Sequence, residues 1–301
     1  MPPAVRPLDS SHGWELYRSF LGVLQEGSLS GAARALGITQ PTVGRHVSAL
    51  EDSLGLALFT RSQTGLLPTE AAIALRPYAE EMRSTADALR RAADSQGEGV
   101  KGTVRVSASE VVGVEVLPSI VARLRQGHPQ LTVELVVTNR VQDLLQREAD
   151  IAVRMTQPRQ ELLIARSVGV VALGVFAHRS YLARHGAPKT VPDLAQHALI
   201  GFDQETPFLR AARKAMPEWR RESFSIRTDS DVAHLALIRA GCGIGVCQVA
   251  LAKRDADLVR VLLKFELKLE TWVTMHEDLR NSPRCRVTFD ALVKGLTAYV
   301  S

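Results

Sequence analysis

The stretch Leu29-Ser30-Gly31-Ala32-Ala33-Arg34-Ala35-Leu36-Gly37-Ile38-Thr39-Gln40-Pro41-Thr42-Val43 decides how the first third of this chain folds. Ala32, Ala33 and Leu36 share one face of a short helix, and Gly37 stops it. Thr39 is a good N-cap for a second helix, from Gln40 to about Leu54, with Pro41 tolerated in its first turn and Gly55 ending it. Upstream, Trp14, Leu16, Tyr17, Phe20, Leu21 and Leu24 recur at helical spacing as far as Gly27. Ala32, Ala33, Leu36, Ile38, Val43, Val47, Leu50 and Leu54 would bury against that first helix. Gln40, Thr42, Arg45, His46 and Ala49 are left near one outward face. Two helices joined by a tight glycine turn form a unit that lays its second helix in the major groove of DNA. Gln can pair adenine and Arg guanine through two hydrogen bonds each, and Ser28 and Ser30 sit where a helix N-terminus can meet phosphate. The bland alternative is a helical hairpin with a solvated polar face.

Downstream, Leu58 to Pro68 reads as a small two-stranded wing turning at Gly65, anchored by Phe59 and Leu67. Arg61 and the polar tip, Gln63 and Thr64, would lie along the DNA backbone, and Arg34, Thr39 and Pro41 complete the candidate DNA-contacting set. Thr69 caps a fourth helix running to about Asp94. On it Leu75, Ala79, Met82, Ala86, Leu89 and Ala93 are spaced 4, 3, 4, 3, 4, a heptad seam suited to a partner helix. The alternative is an amphipathic helix packed on its own domain.

The glycine-rich segment from Ser95 to Gly102 reads as a hinge, and the texture changes beyond it. Val104–Val106, Leu131–Val137, Ile151–Val153 and Val170–Phe176 look like strands, alternating with helical patterns at Leu117–Arg125 and Val141–Arg147. That alternation implies an α/β domain with a largely parallel sheet. Strands crossing between two lobes would leave a cleft, with ligand at the carboxyl ends of strands. Ser107 and Ser109 after the first strand, Thr138 and Asn139 after the second and Arg154 after the third are candidate effector contacts from the first lobe. Gly201, Phe202 and Asp229 are candidates from the second. Each alone has an ordinary reading as a turn, cap or salt-bridge residue.

The domains expected are a winged helix–turn–helix (residues 1–69), a dimerising linker helix (70–95), a hinge (96–102) and an effector domain (103–301). Its lobe I would cover about 103–163 and 269–301, and its lobe II about 164–268. The formal charge is +5, but residues 1–95 hold nine Arg, no Lys and ten Asp and Glu, a net of −1. The DNA reading therefore rests on placed arginines and not on bulk charge. Three cysteines, Cys242, Cys247 and Cys285, are no disulfide framework and fit a reducing compartment. With no apolar run after a basic start in Met1–Ser19 and no long uncharged apolar stretch, the expectation is a cytoplasmic protein without membrane contact. There is no nucleophile elbow, P-loop or zinc-binding spacing, so neither catalytic nor metal-ligating residues are assigned and no cofactor is expected. Gly241-Cys242-Gly243-Ile244-Gly245 mimics a dinucleotide loop but reads as a helix end entering a strand.

The runs Gln25–Leu36, Thr39–Val43, Leu50–Arg61 and Pro68-Thr69-Glu70-Ala71 together resemble the N-terminal domain of LysR-type transcriptional regulators. Arg147–Arg154, Ser180–Gly186 and Ala240–Val246 fit that family's effector domain, so the likeness covers essentially the whole chain. Gly44 departs from the pattern, where the family often has Ser, removing a hydroxyl that would touch phosphate. The resemblance implies a winged helix–turn–helix, a long dimerising helix and a two-lobed α/β effector domain like the type 2 periplasmic binding proteins. It implies homodimers and homotetramers on double-stranded DNA carrying an interrupted inverted repeat, regulated by a small-molecule effector, with RNA polymerase a candidate further partner. A small-molecule binding protein or ligand sensor without a direct transcriptional role is the other reading of residues 103–301, and it leaves the first 95 residues unexplained.

Overall fold

The computed structural model describes residues 13–62, 65–94, 99–139, 149–158, 163–205, 209–210, 213 and 216–301. The expected helix at Val141–Arg147 and the wing-tip residues Gln63 and Thr64 lie outside the described residues. The chain divides into two compact units near Arg90.

The first unit opens with helices α1 (Trp14–Glu26), α2 (Leu29–Leu36) and α3 (Gln40–Leu54). Ser28 caps α2 by accepting from the Gly31 N–H, and Gly37 takes the left-handed conformation (φ 69°) that turns α2 into α3. Thr39 stands at the N-cap position of α3 but makes no cap hydrogen bond. Val23, Ala32, Ala33, Val43 and Val47 form one apolar cluster, while Phe20, Leu21, Leu50, Leu58, Ala72 and Ala79 form another. Strands β1 (Phe59–Ser62) and β2 (Gly65–Pro68) pair antiparallel as the wing. Gly65, at φ 134°, comes so close to the Gly27 carbonyl that an added Cβ would lie 2.6 Å from its oxygen. The Leu66 N–H donates to that same carbonyl. Leu66, not the expected Leu67, packs against the helices, since Leu67 is 52% exposed. Strand alternation explains the correction, because neighbouring residues face opposite sides. Thr69 caps α4 (Glu70–Asp94), its hydroxyl accepting from Ala72 N–H.

The second unit carries a sheet in the order β4-β3-β5-β11-β6-β9-β7-β8, with β10 paired to β6. Its strands are β3 (Gly102–Ala108), β4 (Leu131–Val137), β5 (Ile151–Arg154), β6 (Leu163–His178), β7 (Leu199–Gly201), β8 (Phe224–Arg227), β9 (Ile244–Gln248), β10 (Leu258–Val261) and β11 (Leu267–His276). β3, β4 and β5 are mutually parallel, as are β7, β8 and β9. The expectation of a largely parallel sheet fails in the middle, where β11 is antiparallel to both β5 and β6, and β6 to β9. β6 and β11 are the long strands that cross from one lobe to the other. The sequence shows only the centre of β6, because Ala165 to Ser167 is exposed and the β6–β11 register shifts beside Thr271. Helices α5 (Glu110–Glu115), α6 (Leu117–Gly127), α7 (Arg179–His185), α8 (Asp231–Arg239), α9 (Val249–Ala252) and α10 (Pro283–Val300) pack with these strands in the same unit. One apolar core runs from Val104, Val106 and Leu117 to Phe289 and Leu296, and a second gathers Leu194, Leu199, Met216, Trp219 and Phe224. Gly241 ends α8 and Gly243 leads into β9, so the glycine run is a helix end entering a strand.

Candidate DNA interface and effector cavity

The DNA-facing candidates fall on α2, α3 and the wing. Ser30, Arg34, Thr39, Gln40, Pro41, Arg45 and Arg61 are exposed, and Ser28 and Thr42 are half-buried. Along α3 the Thr39 and Thr42 hydroxyls are 2.8 Å apart, and Arg45 Nη2 donates to Thr42 Oγ1 at 3.4 Å. A hydroxyl pair thus holds the guanidinium on the surface of the helix that a base-reading Arg needs. His46 corrects the sequence reading: its Nδ1 is hydrogen-bonded to Ser19 Oγ at 2.8 Å, so the ring ties α3 to α1 instead of facing outward. Glu51, which the sequence reading passed over, accepts from the N–H groups of Leu58 and Phe59 at 2.7 and 3.2 Å and fixes where the wing begins. An acidic residue seven positions before a wing carries no periodic signal, so only the fold reveals it.

The seam expected on α4 divides. Leu75 and Ala79 pack into the first unit's own apolar cluster, whereas Met82 is 39% and Leu89 75% exposed. Ala86 is half-buried and Ala93 exposed. Ile73 and Tyr78, 59% and 68% exposed, join Met82 and Leu89 as large apolar side chains in solvent. A 3.5-residue repeat drifts around a straight helix, so one nominal seam serves two faces.

In the second unit a cavity of about 450 Å³ lies between the lobes. Of the candidates, Ser109, Asn139, Arg154, Phe202 and Asp229 line it. Ser107, Thr138 and Gly201 do not. Ser107 is fully buried and accepts from Arg154 Nη2 at 2.6 Å. Thr138 N–H closes onto the Ala108 carbonyl, and the Phe224 ring covers Gly201 at distances no Cβ would permit. The lining is otherwise largely apolar, with Met216, Trp219, Leu235 and Val246 in it, joined by Asp231, His234 and Gln248.

The lobes are linked by charge-assisted contacts. Glu110 does not crowd the cavity: it accepts from Ser230 Oγ (2.9 Å) and Val232 N–H (3.4 Å) at the start of α8. Asn139 accepts from Glu110 N–H and donates to Asp231 Oδ2 at 2.8 Å. Arg239 makes a bidentate pair with Glu115, at 2.6 and 3.0 Å. That hydrogen bond is the main cause holding the Glu115 carboxyl below its usual range. Burial pushes the Asp231 carboxyl up, with Glu110 adding to this and Asn139 opposing it. Burial lowers Arg154, and drives His234 down to about 4, leaving a neutral imidazole stacked on Phe202 at 5.1 Å. Burial likewise raises the Cys247 thiol to about 12, which makes it an inert part of the wall. Among the described residues, no His, Cys, Asp and Glu group could hold a metal and no helix is long and apolar enough to cross a membrane.

A helix–turn–helix with a wing, joined in one chain to a two-lobed α/β domain with a cleft, defines a class of DNA-binding regulators with a ligand-binding half. Residues 14–73 match the family described as bacterial regulatory helix-turn-helix protein, lysR family, and residues 97–297 match the LysR substrate binding domain. The chain belongs to the LysR family of transcriptional regulators. It is 28% identical over 293 residues to the probable HTH-type transcriptional regulator LtrA of Klebsiella pneumoniae, covering 93% of each chain. The HTH-type transcriptional activator AaeR of Escherichia coli is 27% identical over 183 residues, 61% of this chain and 59% of that one. The structure of full-length CbnR in complex with its target DNA has the same fold, with TM-score 0.65, 20% identity and coverage of 95% of this chain and all of that one. The protein is therefore a DNA-binding transcriptional regulator with an effector-binding domain, as its sequence led us to expect.

Proposed function

We propose that α3 reads operator bases in the major groove through Gln40 and Arg45, while Ser28, Ser30, Arg34 and Arg61 meet the phosphates. The observation that carries this reading is the hydrogen-bonded file Thr39–Thr42–Arg45, exposed at both ends, at the start of a helix that is buried at Val43, Val47 and Leu50. Two such heads joined by paired α4 helices match an inverted repeat with half-sites about one or more helical turns apart. The pairing surface is the exposed set Tyr78, Met82 and Leu89, which share one face of α4 and form an apolar stretch that a partner helix would cover. The cavity between the lobes holds a small molecule, and its occupancy changes how dimers pack in a tetramer and so how the bound DNA bends. We read the cavity as a binding site with no catalytic group, in a protein of the cytoplasm.

The test is a gel shift with DNA from upstream of the protein's own gene and its neighbours, at low salt, repeated with a metabolite panel. A shift that the metabolites alter supports the reading, and no shift on any fragment sinks it. Met82→Glu should weaken dimerisation and DNA binding together. A Met82→Glu protein that stays dimeric and binds its operator with unchanged affinity removes the pairing surface from the scheme.

A further inference from the structure

The cavity wall carries permanent charge of both signs. Arg154, at the end of β5, contributes a cation, whose Nη1 donates to the Val153 carbonyl and whose Nη2 donates to Ser107 Oγ. Asp229 and Asp231, before and in the first turn of α8, contribute two carboxylates. Each aspartate has one oxygen engaged: Asp229 Oδ1 accepts from the N–H groups of Asp203 and Gln204, and Asp231 Oδ2 from Asn139. Their second oxygens have no hydrogen-bond partner among the described residues. His234 adds a further polar group to the wall: it is 3% exposed, and neither ring nitrogen is hydrogen-bonded. Phe202, Met216 and Trp219 supply apolar and aromatic surface in the same wall.

We propose that the effector is a small zwitterion with an apolar side chain, of the α-amino-acid class, whose carboxylate meets Arg154 and whose ammonium meets Asp229 and Asp231. This rests on the cavity's being the effector site. Charge bookkeeping selects the class. An acid alone would enter beside two like-charged carboxylates in a largely apolar space. An amine alone would bring its charge into a cavity that also holds the like charge of the Arg154 guanidinium. A molecule with both charges and an aliphatic or aromatic body satisfies each end and leaves the apolar wall covered. The neutral His234 ring gives the polar end one more donor or acceptor, and burial keeps it from competing with the ammonium for the carboxylates.

Three matched sets of probes test this by calorimetry on the full-length protein: L-phenylalanine, 3-phenylpropanoate and 2-phenylethylamine; L-leucine, 4-methylpentanoate and 3-methylbutylamine; L-methionine, 4-(methylthio)butanoate and 3-(methylthio)propylamine. The expected result is that at least one amino acid binds ten times or more tighter than both its acid and its amine. Arg154→Gln and Asp231→Asn, each checked for an unchanged melting profile, should each weaken it tenfold or more. If either variant melts early, Asp229→Asn replaces it with the same expectation. The proposal is overturned if an acid or amine binds within tenfold of its amino acid, if no amino acid of the three binds, or if the charge-neutral variants bind unchanged. Leu269→Trp, which fills the cavity, separates this from the underlying reading. Loss of an acid's or amine's binding in that variant leaves the cavity as the site and rejects only the zwitterion. Binding indifferent to Leu269→Trp rejects the cavity as well.

Discussion

The DNA-reading head and the effector domain use charge in opposite ways. The head is net −1 over residues 1–95, and its proposed DNA contacts are exposed or half-buried, close in sequence and set on two short helices and a wing. The rest of the chain carries the positive surplus, yet its proposed site is a mostly apolar cavity whose wall holds a few charges of both signs. Net charge thus misleads in both halves, and placement decides function in each. The two halves should also fail separately. Leu50, 1% exposed in the head's core, is the strongest lever. Leu50→Ala should cost the head about 2–5 kcal/mol. DNA binding should then be lost at temperatures where the effector domain still melts as in the wild type. A calorimetric scan in which both units melt together, before and after the change, breaks the comparison.

The next effect belongs to the effector domain. His234 is held near pKa 4 by burial, against 6.5 for a free imidazole. The unfolded chain takes up the proton first, so stability is full above about pH 6.5 and is lost as pH falls towards 4. The difference of about 2.5 units corresponds to about 3 kcal/mol. His234→Phe, which keeps an aromatic ring against Phe202, should flatten the effector domain's stability between pH 4 and 6.5, as read by denaturant titration. A slope unchanged in His234→Phe would assign the dependence elsewhere. Glu115 acts in a separate window. Its carboxyl is depressed, so what its bond to Arg239 contributes is present above the ordinary Glu range and disappears only below about pH 4.3.

Legibility follows the same divide. The head could be read from fifteen consecutive residues, because helix caps, stop glycines and an apolar face are local signals. What was missed there is what acts across elements: Ser19 turning His46 inward, Glu51 pinning the wing, and Leu75 and Ala79 facing their own domain. The cavity is the harder case. Its wall comes from α5, β5, β6, α8, β9, β11 and the segments after β3, β4, β5, β7 and β8, which are far apart in sequence. Residues at strand ends were legible, so Ser109, Asn139, Arg154 and Phe202 could be named. Met216, Trp219, Asp231 and His234 could not, because nothing local separates a cavity residue from a core residue or a helix start. Ser107 and Gly201 failed for the converse reason: a strand end can face either side of its sheet.

Arg45 sharpens the account of the head. If it reads a base, Arg45→Ala should cost about 1–3 kcal/mol on the operator and relax discrimination at one position. An equal loss on operator and unrelated DNA would make it a phosphate contact instead. With Arg34 and Arg61 on the phosphates and Arg45 on a base, log affinity should fall with log salt at about −1.8 per head, from 0.9 per neutralised phosphate, and at about −2.7 if Arg45 meets a phosphate instead. A much steeper slope would require cations from outside the head. Binding that is tight despite a shallow slope needs several heads on one DNA, which makes oligomer formation part of affinity.

Gly44 gives the smallest effect and the finest distinction. It lies inside α3, where glycine leaves the unfolded chain more freedom than alanine would and so weakens the helix. A Cβ built there meets only Leu29 Cδ1, at 3.7 Å, an ordinary contact. Gly44→Ala should therefore stabilise the head by about 0.4–1 kcal/mol in thermal or denaturant unfolding. The new methyl group lies on the side of α3 that meets Leu29, so operator affinity of the folded protein should not change. Gly44→Ser adds a hydroxyl to the same position. Tighter operator binding by Gly44→Ser, but not by Gly44→Ala, would measure a phosphate contact that this chain lacks. Equal binding by the two would mean that glycine at this position sets only the stability of the reading helix. Destabilisation by Gly44→Ala would show that α2 and α3 lie closer together at Leu29 than an added methyl group allows.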